Sequence, residues 1–166
     1  LIKEQKLLDA VQSLDSVVIA FSGGVDSSLV AKAASKALPK TKILLVTADS
    51  QSLGNGELEK CEELSNEWDL DWTPVQTNEF ENSQYLANQS DRCWWCKSAL
   101  MDQLEPIAAK RGANVVLGVN QDDLGDHRPG QEAAKSRGAR FPLVEAGLTK
   151  HDVRELAKEW KLSVWD

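Results

Sequence analysis

Apolar residues along the chain keep two alternating rhythms. Leu7, Leu8, Val11 and Leu14 recur at helical spacing and predict an amphipathic helix over residues 1–14. The run VVIAF (Val17–Phe21) is apolar without a break, as in a strand buried on both faces. Leu29, Val30, Ala33, Ala34 and Ala37 then predict a helix from Asp26 to Leu38, stopped by Pro39. KILLVTA (Lys42–Ala48) reads as a second buried strand, and Leu58, Cys61, Leu64 and Trp68 mark the inner face of a helix over Gly56–Trp68. LDWTPVQT makes a third, weaker strand, at an edge or near its end because Pro74 has no ladder donor. A helix over Cys93–Lys110, a strand over Asn114–Val119 and a helix over Thr149–Trp160 follow. Thr149 caps the last helix with Asp152 three positions on, a variant of the capping box.

Strands alternating with helices of this length imply right-handed crossovers and a parallel sheet covered on both faces, an α/β fold of Rossmann-like type. In such sheets ligands bind beyond the carboxyl ends of the strands, where the strand order reverses. The informative loops therefore follow strands one, two and four: SGGVDSS, DSQSLGNG and NQDDLGDHRPG. All three are rich in Gly, Asp, Asn and Ser.

Composition narrows the partners. The 166 residues suggest one domain, and the net charge of −7 disfavours a nucleic-acid backbone as a partner. No apolar run approaches the roughly 20 residues of a membrane span, and no signal peptide is evident, so a cytoplasmic protein without membrane contact is expected. Cys93 and Cys96 stand as CWWC, which in a cytosolic chain points to metal or redox chemistry before a disulfide. Without an initiating Met, and stopping at LSVWD where another strand is expected, the sequence reads as a fragment lacking a C-terminal region.

SGGVDSS carries the sharpest signal. Gly23 and Gly24 remove two Cβ atoms where the chain turns, so backbone N–H groups can approach a bulky anion. Asp26, Ser27 and Ser28 fall where the next helix begins, and there unpaired amides and the positive dipole end favour phosphate. Ser22 and Ser27 add hydroxyls, and Asp26 is suited to a Mg²⁺ ion bridging phosphates. Neither GxxxxGK[ST] nor GxGxxG is present. A tight turn with a Ser/Asp cap is the plain alternative.

SGGVDS (Ser22–Ser27) resembles the SGGxDS pyrophosphate loop of the N-type ATP pyrophosphatases, or PP-loop superfamily. These include NAD and GMP synthetases, argininosuccinate synthetase and tRNA thiolation enzymes, whose fold is adenine nucleotide alpha-hydrolase-like. DRCWWCKSAL, GVNQDDLGDHRPGQEAA and RFPLVEAGLTKHDVRELAKEWKLSVWD are further similar to the LarE-type sacrificial sulfur transferases of nickel-pincer cofactor synthesis, from about Val17 to Asp166. That resemblance implies one PP-loop domain over residues 1–166, ATP and Mg²⁺ as cofactors, and a homo-oligomer. It also implies adenylation of a carboxylate on a pyridinium mononucleotide with release of pyrophosphate, and then sulfur transfer. Sulfur comes from a protein cysteine, or from a [4Fe-4S] cluster on three cysteines, of which Cys93 and Cys96 are two candidates. In the family the additional cysteine follows a WDKPA-type stretch, whereas this sequence stops at Trp165-Asp166.

The implied nucleotide site comprises Ala20, Ser22, Gly23, Gly24, Val25, Asp26, Ser27 and Ser28, with Ala48 and Ser50 after strand two and Gly118 and Asp123 after strand four. Lys97, Asp26 and Arg128 are the implied catalytic groups, and Asp26 with Asp122 the implied Mg²⁺ ligands. Relatives show Tyr at the position of His127, and both His127 and His151 are expected at the surface. Trp94 and Trp95 are candidates to line a substrate entrance. Another PP-loop enzyme, an amide synthetase or a tRNA thiolase, and a nucleotide sensor that does not split ATP remain open alternatives.

Overall fold

A computed structural model describes residues 2–49, 56–76, 92–125, 135 and 137–165. Its elements in chain order are α1 (Ile2–Gln12), β1 (Val17–Ala20), α2 (Val25–Ala37), β2 (Ile43–Asp49), α3 (Glu57–Glu67), β3 (Asp71–Gln76), α4 (Arg92–Arg111), β4 (Asn114–Val116), α5 (Pro142–Glu145) and α6 (Lys150–Glu159). The four strands form one sheet in the order β3-β2-β1-β4, and every neighbouring pair is parallel. The order reverses between β1 and β4, which puts the switch point at the carboxyl end of β1.

Because side chains alternate across a strand, the uninterrupted apolar runs feed two cores at once. Val17, Ile19, Ile43 and Leu45 enter one, together with Leu7 of α1, Leu29 of α2, Leu64 of α3 and Val153 of α6. Val18, Val46 and Val115 enter the other, against Leu100, Met101 and Leu104 of α4. Leu29, Leu45, Met101 and Leu104 are fully buried, and each such side chain contributes about 1.5–3 kcal/mol through removal from water. β3 forms one edge of the described sheet, where a strand can carry Pro74.

Two expectations are corrected. The fourth strand spans Asn114–Val116 and does not reach Val119. β1 pairs with it only as far as Val116, and the Leu117 N–H then donates to the carbonyl of Arg140. The segment following α6 adds no strand among the described residues. Instead Leu162 packs into the first core with its N–H on the Ala157 carbonyl.

The capping box at α6 forms as the spacing predicts. Thr149 Oγ1 accepts the Asp152 N–H at 3.2 Å, and Asp152 Oδ2 accepts the Thr149 N–H at 3.0 Å. Lys3 of α1 also donates to Asp152. These donors, the Lys3 ammonium first and then the Thr149 amide, hold the Asp152 carboxyl below its ordinary range. A depressed carboxyl supplies stability above its unfolded pKa and loses it as pH falls through the folded value. Thr149→Ala is expected to cost about 1 kcal/mol, roughly 2–4 °C of melting temperature at this chain length. Asp152→Asn should lower the melting temperature at pH 7, and its difference from wild type should shrink as the pH falls below the ordinary carboxylate range and the depressed carboxyl becomes protonated. Thermal melts at pH 7 and along a descending acid series check both outcomes.

Candidate functional site

The site is built on the corner where β1 ends and α2 begins. Phe21, the last residue before the loop, is fastened on several sides. Its N–H continues the ladder to the Val46 carbonyl at 2.8 Å, and its carbonyl accepts the Thr47 hydroxyl at 2.7 Å. Trp72 Nε1 donates in turn to Thr47 Oγ1 at 2.8 Å, and the buried Cys61 thiol lies 3.9 Å from the same Phe21 carbonyl. The Phe21 ring meets Trp68 edge-on with centroids 5.8 Å apart. Burial pushes the Cys61 thiol up from its ordinary pKa, so this cysteine stays a neutral core group.

Beyond Phe21 the loop braces itself. Ser27 Oγ accepts the Ser22 N–H at 3.1 Å and lies 3.2 Å from Ser22 Oγ, while the Gly24 N–H donates to Ser22 Oγ at 3.3 Å. The two serines that the sequence offers as anion donors thus also hold the turn closed. Gly23 adopts φ +81°, a left-handed conformation that disfavours any Cβ. A side chain there would also meet the Cys61 sulfur at 3.3 Å. The stem of Lys60, on α3, lies beside the same glycine.

At the first turn of α2 the amide inventory is informative. Gly24 is the N-cap, and no side chain caps the helix. Ser28 N–H donates to the Gly24 carbonyl, whereas the N–H groups of Gly23, Val25 and Asp26 have no partner among the described residues. A helix start normally satisfies such donors with a Ser, Thr, Asp or Asn cap. Glycine at the N-cap supplies no side chain to do so. The buried hydroxyl of Ser28 likewise has no partner, the single buried side-chain polar atom among the described residues in that state.

The other wall comes from the end of β4. Gly118 presses its backbone onto α2, so closely that a Cβ there would lie 2.8 Å from the Ser27 nitrogen and 3.0 Å from the Asp26 carbonyl carbon. Asn120, almost fully buried, organises the short 3₁₀ turn Gln121–Gly125. Its Oδ1 accepts the N–H groups of Asp122 and Asp123 at 2.9 and 3.2 Å, and its own N–H donates to Asp123 Oδ2 at 3.0 Å. Asn120 Nδ2 reaches across to Asp26 Oδ1 at 3.2 Å. Lys150, the first residue of α6, donates from Nζ to Asp26 Oδ2 at 2.8 Å, and its backbone N–H donates to Asp122 Oδ2 at 3.0 Å.

The structure therefore gathers Ser22 to Ser28 and Gly118 at one corner, with Ala20 just before it and Asp122 and Asp123 linked to it through Asn120 and Lys150. Ala48 lies in β2, packed against the second core, one strand away. Cys93, Cys96 and Lys97 fall in the first turns of α4, with Trp94 and Trp95 between them, and their side chains lie outside the described part. Ser50, Asp126, His127 and Arg128 lie outside the described residues altogether. His151 is exposed, as expected. Sequence reasoning passed over Asn120, Lys150, Thr47 and Trp72. Asn120 was visible as the opening residue of the Asp-rich loop, and Lys150 as the residue after a helix cap, but nothing local joins either to a residue about a hundred positions earlier.

Asp26 fits a Mg²⁺ ion of the kind held by one or two carboxylates plus substrate phosphates, for it stands partly exposed beside the unpaired amides. Among the described residues no group of three or more His, Cys, Asp or Glu side chains gathers into a metal site. Nor does any described helix have the length and apolar character to cross a membrane.

Over 165 residues, 99% of this chain, the sequence is 44% identical to the uncharacterized protein slr1717 of Synechocystis sp., covering 61% of that protein. It is 34% identical, again over 99% of this chain, to the pyridinium-3,5-bisthiocarboxylic acid mononucleotide synthase of Lactiplantibacillus plantarum, covering 60% of it. The chain thus spans about three fifths of the curated relatives it matches. In fold it is similar to the NH3-dependent NAD synthetase of Campylobacter jejuni, with a TM-score of 0.75 at 21% identity over 97% of this chain and 73% of that one. The NAD synthase family model matches residues 4–91, which include the SGGVDSS loop. By its sequence, its parallel sheet and its SGGVDSS loop, the chain belongs to the NAD synthase family of PP-loop proteins.

Proposed function

We propose that this chain binds ATP at the β1–α2 corner and uses it to adenylate a carboxylate, releasing pyrophosphate. One observation carries the reading. Three backbone N–H groups without partners, on Gly23, Val25 and Asp26, stand at an uncapped helix start on the switch point of a parallel sheet. That arrangement suits the β- and γ-phosphates, which leave together as pyrophosphate. In the step itself a substrate carboxylate oxygen attacks the α-phosphorus, and the bond from that phosphorus to the bridging oxygen breaks. Negative charge then accumulates on the departing pyrophosphate. Amides already aimed at it stabilise that charge with little reorganisation, which is where such a site gains rate.

The chain's own residues divide the work. Gly23 and Gly24 bring the backbone to the phosphates, Ser22 and Ser27 lock the turn, and Gly118 lets β4 close on it. Asp26 would hold Mg²⁺, which supplies Lewis-acid charge neutralisation on the phosphates when bound. The same reading gives Lys97 and Arg128 the role of cations for the leaving group or the substrate carboxylate.

Similarity to the pyridinium bisthiocarboxylic acid mononucleotide synthase supports a pyridinium mononucleotide carboxylate as substrate, with sulfur insertion as the fate of the adenylate and a place in nickel-pincer cofactor synthesis. Cys93 and Cys96, three positions apart at the start of α4, are the candidate thiols for that chemistry, as an Fe–S cluster pair or otherwise. A second reading, an ammonia-using amide synthetase, has support from the NAD synthase family match. Both readings share the adenylation step.

With ATP, Mg²⁺ and a nicotinate mononucleotide dicarboxylate, the full-length protein is expected to release pyrophosphate and form a product heavier by AMP. ADP with orthophosphate as products would overturn the reading. Cys93→Ser with Cys96→Ser should abolish sulfur insertion but leave pyrophosphate release intact; unchanged overall turnover would favour the amide synthetase. Gly118→Ala places a methyl against backbone that cannot move aside, and should cost about 1–3 kcal/mol of stability. It should also weaken ATP binding by at least tenfold, as calorimetry and thermal melts would register.

A further inference from the structure

Helix α3 holds five glutamates and one lysine, and the stem of that lysine lies along Gly23. A Cβ on the glycine would stand 3.7 Å from Lys60 Cδ and 3.9 Å from Lys60 Cε. We propose that Lys60 is a further nucleotide-site residue, whose ammonium pairs with the terminal phosphates of the triphosphate and holds the pyrophosphate that adenylation releases. The inference rests on the ATP-binding reading above and adds to it a cation from α3.

Nothing else among the described residues claims that ammonium. Lys60 stands three positions from both Glu57 and Glu63, yet no hydrogen bond or ion pair reaches its Nζ there. The same spacing on α6 does pair, Lys158 Nζ lying 3.8 Å from Glu155 Oε1. Helix stability gives no reason for the lysine either. Its backbone N–H closes the first turn of α3 on the Gly56 carbonyl at 3.0 Å, at the end of the helix where the dipole favours glutamate over a cation.

The root of the side chain is fixed relative to the loop. The next residue, Cys61, is fully buried with its thiol 3.9 Å from the Phe21 carbonyl, so α3 is seated directly against the base of the turn. Burial is the chief influence on the Cys61 thiol, and the Lys60 charge acts on the same thiol in the opposite direction. Gly23 meets the stem as the residue with no Cβ to obstruct it, and its own N–H has no partner among the described residues. A neutral amide and an exposed ammonium thus converge on one glycine.

Charge gives the arrangement its purpose. The protein carries a formal net charge of −7, and the glutamates of α3 would repel an incoming triphosphate. Lys60 supplies the opposing charge on the exposed side of the turn, where it adds attraction while the amides select by shape. A compact ammonium on a flexible four-carbon stem can follow pyrophosphate as it departs from the α-phosphorus. The residue is invisible to motif reading because it belongs to a different helix from the loop it serves.

Calorimetric titrations of Mg-pyrophosphate, Mg·ATP and AMP into the full-length protein test the proposal on wild type, Lys60→Met and Lys60→Arg. Lys60→Met should weaken Mg-pyrophosphate and Mg·ATP fivefold or more, and leave AMP, which lacks the terminal phosphates, within twofold of wild type. Lys60→Arg should keep most of the affinity. Added salt should erode pyrophosphate binding less steeply in Lys60→Met than in wild type. Should Lys60→Met fold poorly, Lys60→Gln carries the same comparison. Pyrophosphate affinity within twofold of wild type in Lys60→Met overturns the role of Lys60 alone. So does a loss of AMP affinity as large as the loss of pyrophosphate affinity, which would make Lys60 a prop of the turn. Failure of wild type to bind Mg·ATP overturns the ATP-binding reading, and the role of Lys60 with it.

Discussion

The close approach of Gly118 to the first turn of α2 governs the rest of this molecule. A strand end and a helix start meet there backbone to backbone, with less room than a single methyl group needs. That contact sets how far α2 can sit from the sheet, and so where its unpaired amides point. It also joins the two sides of the switch point, β1 with its loop and β4 with its Asp-rich turn. If the contact opened by the width of a methyl, the Asn120 and Lys150 bonds to Asp26, at 3.2 and 2.8 Å, would be stretched beyond useful length.

Stiffness around the loop has a separate origin. Phe21 is anchored by the β2 backbone, by the Thr47 hydroxyl and by packing on Trp68, while Trp72 on β3 fixes Thr47. β2 thus contributes two groups that hold the end of β1, the Val46 carbonyl and the Thr47 hydroxyl, and β3 contributes Trp72 behind them. A flexible glycine loop hung on a loose strand would lose its phosphate geometry to entropy. Hung on a fastened one, it can present amides in advance of the ligand, as an electrostatic site requires.

The fold was legible because each signal was local. Unbroken apolar runs at Val17–Phe21 and Lys42–Ala48 reported strands buried on both faces, and Thr149 with Asp152 reported a helix start. The Gly-rich turn between β1 and α2 was legible too, since SGGVDSS concentrates its signal in seven consecutive residues. What eluded the sequence was long-range. The fourth strand was read too long because its apolar character runs on to Val119, although its pairing with β1 ends at Val116 and the Leu117 N–H turns to the Arg140 carbonyl. Ser22 and Ser27 looked like ligand donors, and their mutual bonds appear only when the turn is built. The Asn120–Asp26–Lys150 set joins three separate elements through side chains that, taken singly, resemble ordinary loop and helix-surface residues.

If, as proposed, this acidic protein takes a triphosphate, it must solve its electrostatics locally, and the partition of donors at the corner indicates how. Carboxylates near the corner are not left bare: Asp26 faces Lys150 and Asn120, Asp122 accepts the Lys150 amide, and Asp123 accepts the Asn120 amide. Uncharged backbone donors are the groups kept free. A lysine left unpaired at the same place would attract any anion, whereas oriented amides discriminate by shape and bind only what fits against the turn. On the proposed reading, selectivity would come from the glycines and from the serine brace that fixes their conformation, while the charged residues would tune affinity around a geometry the backbone already defines.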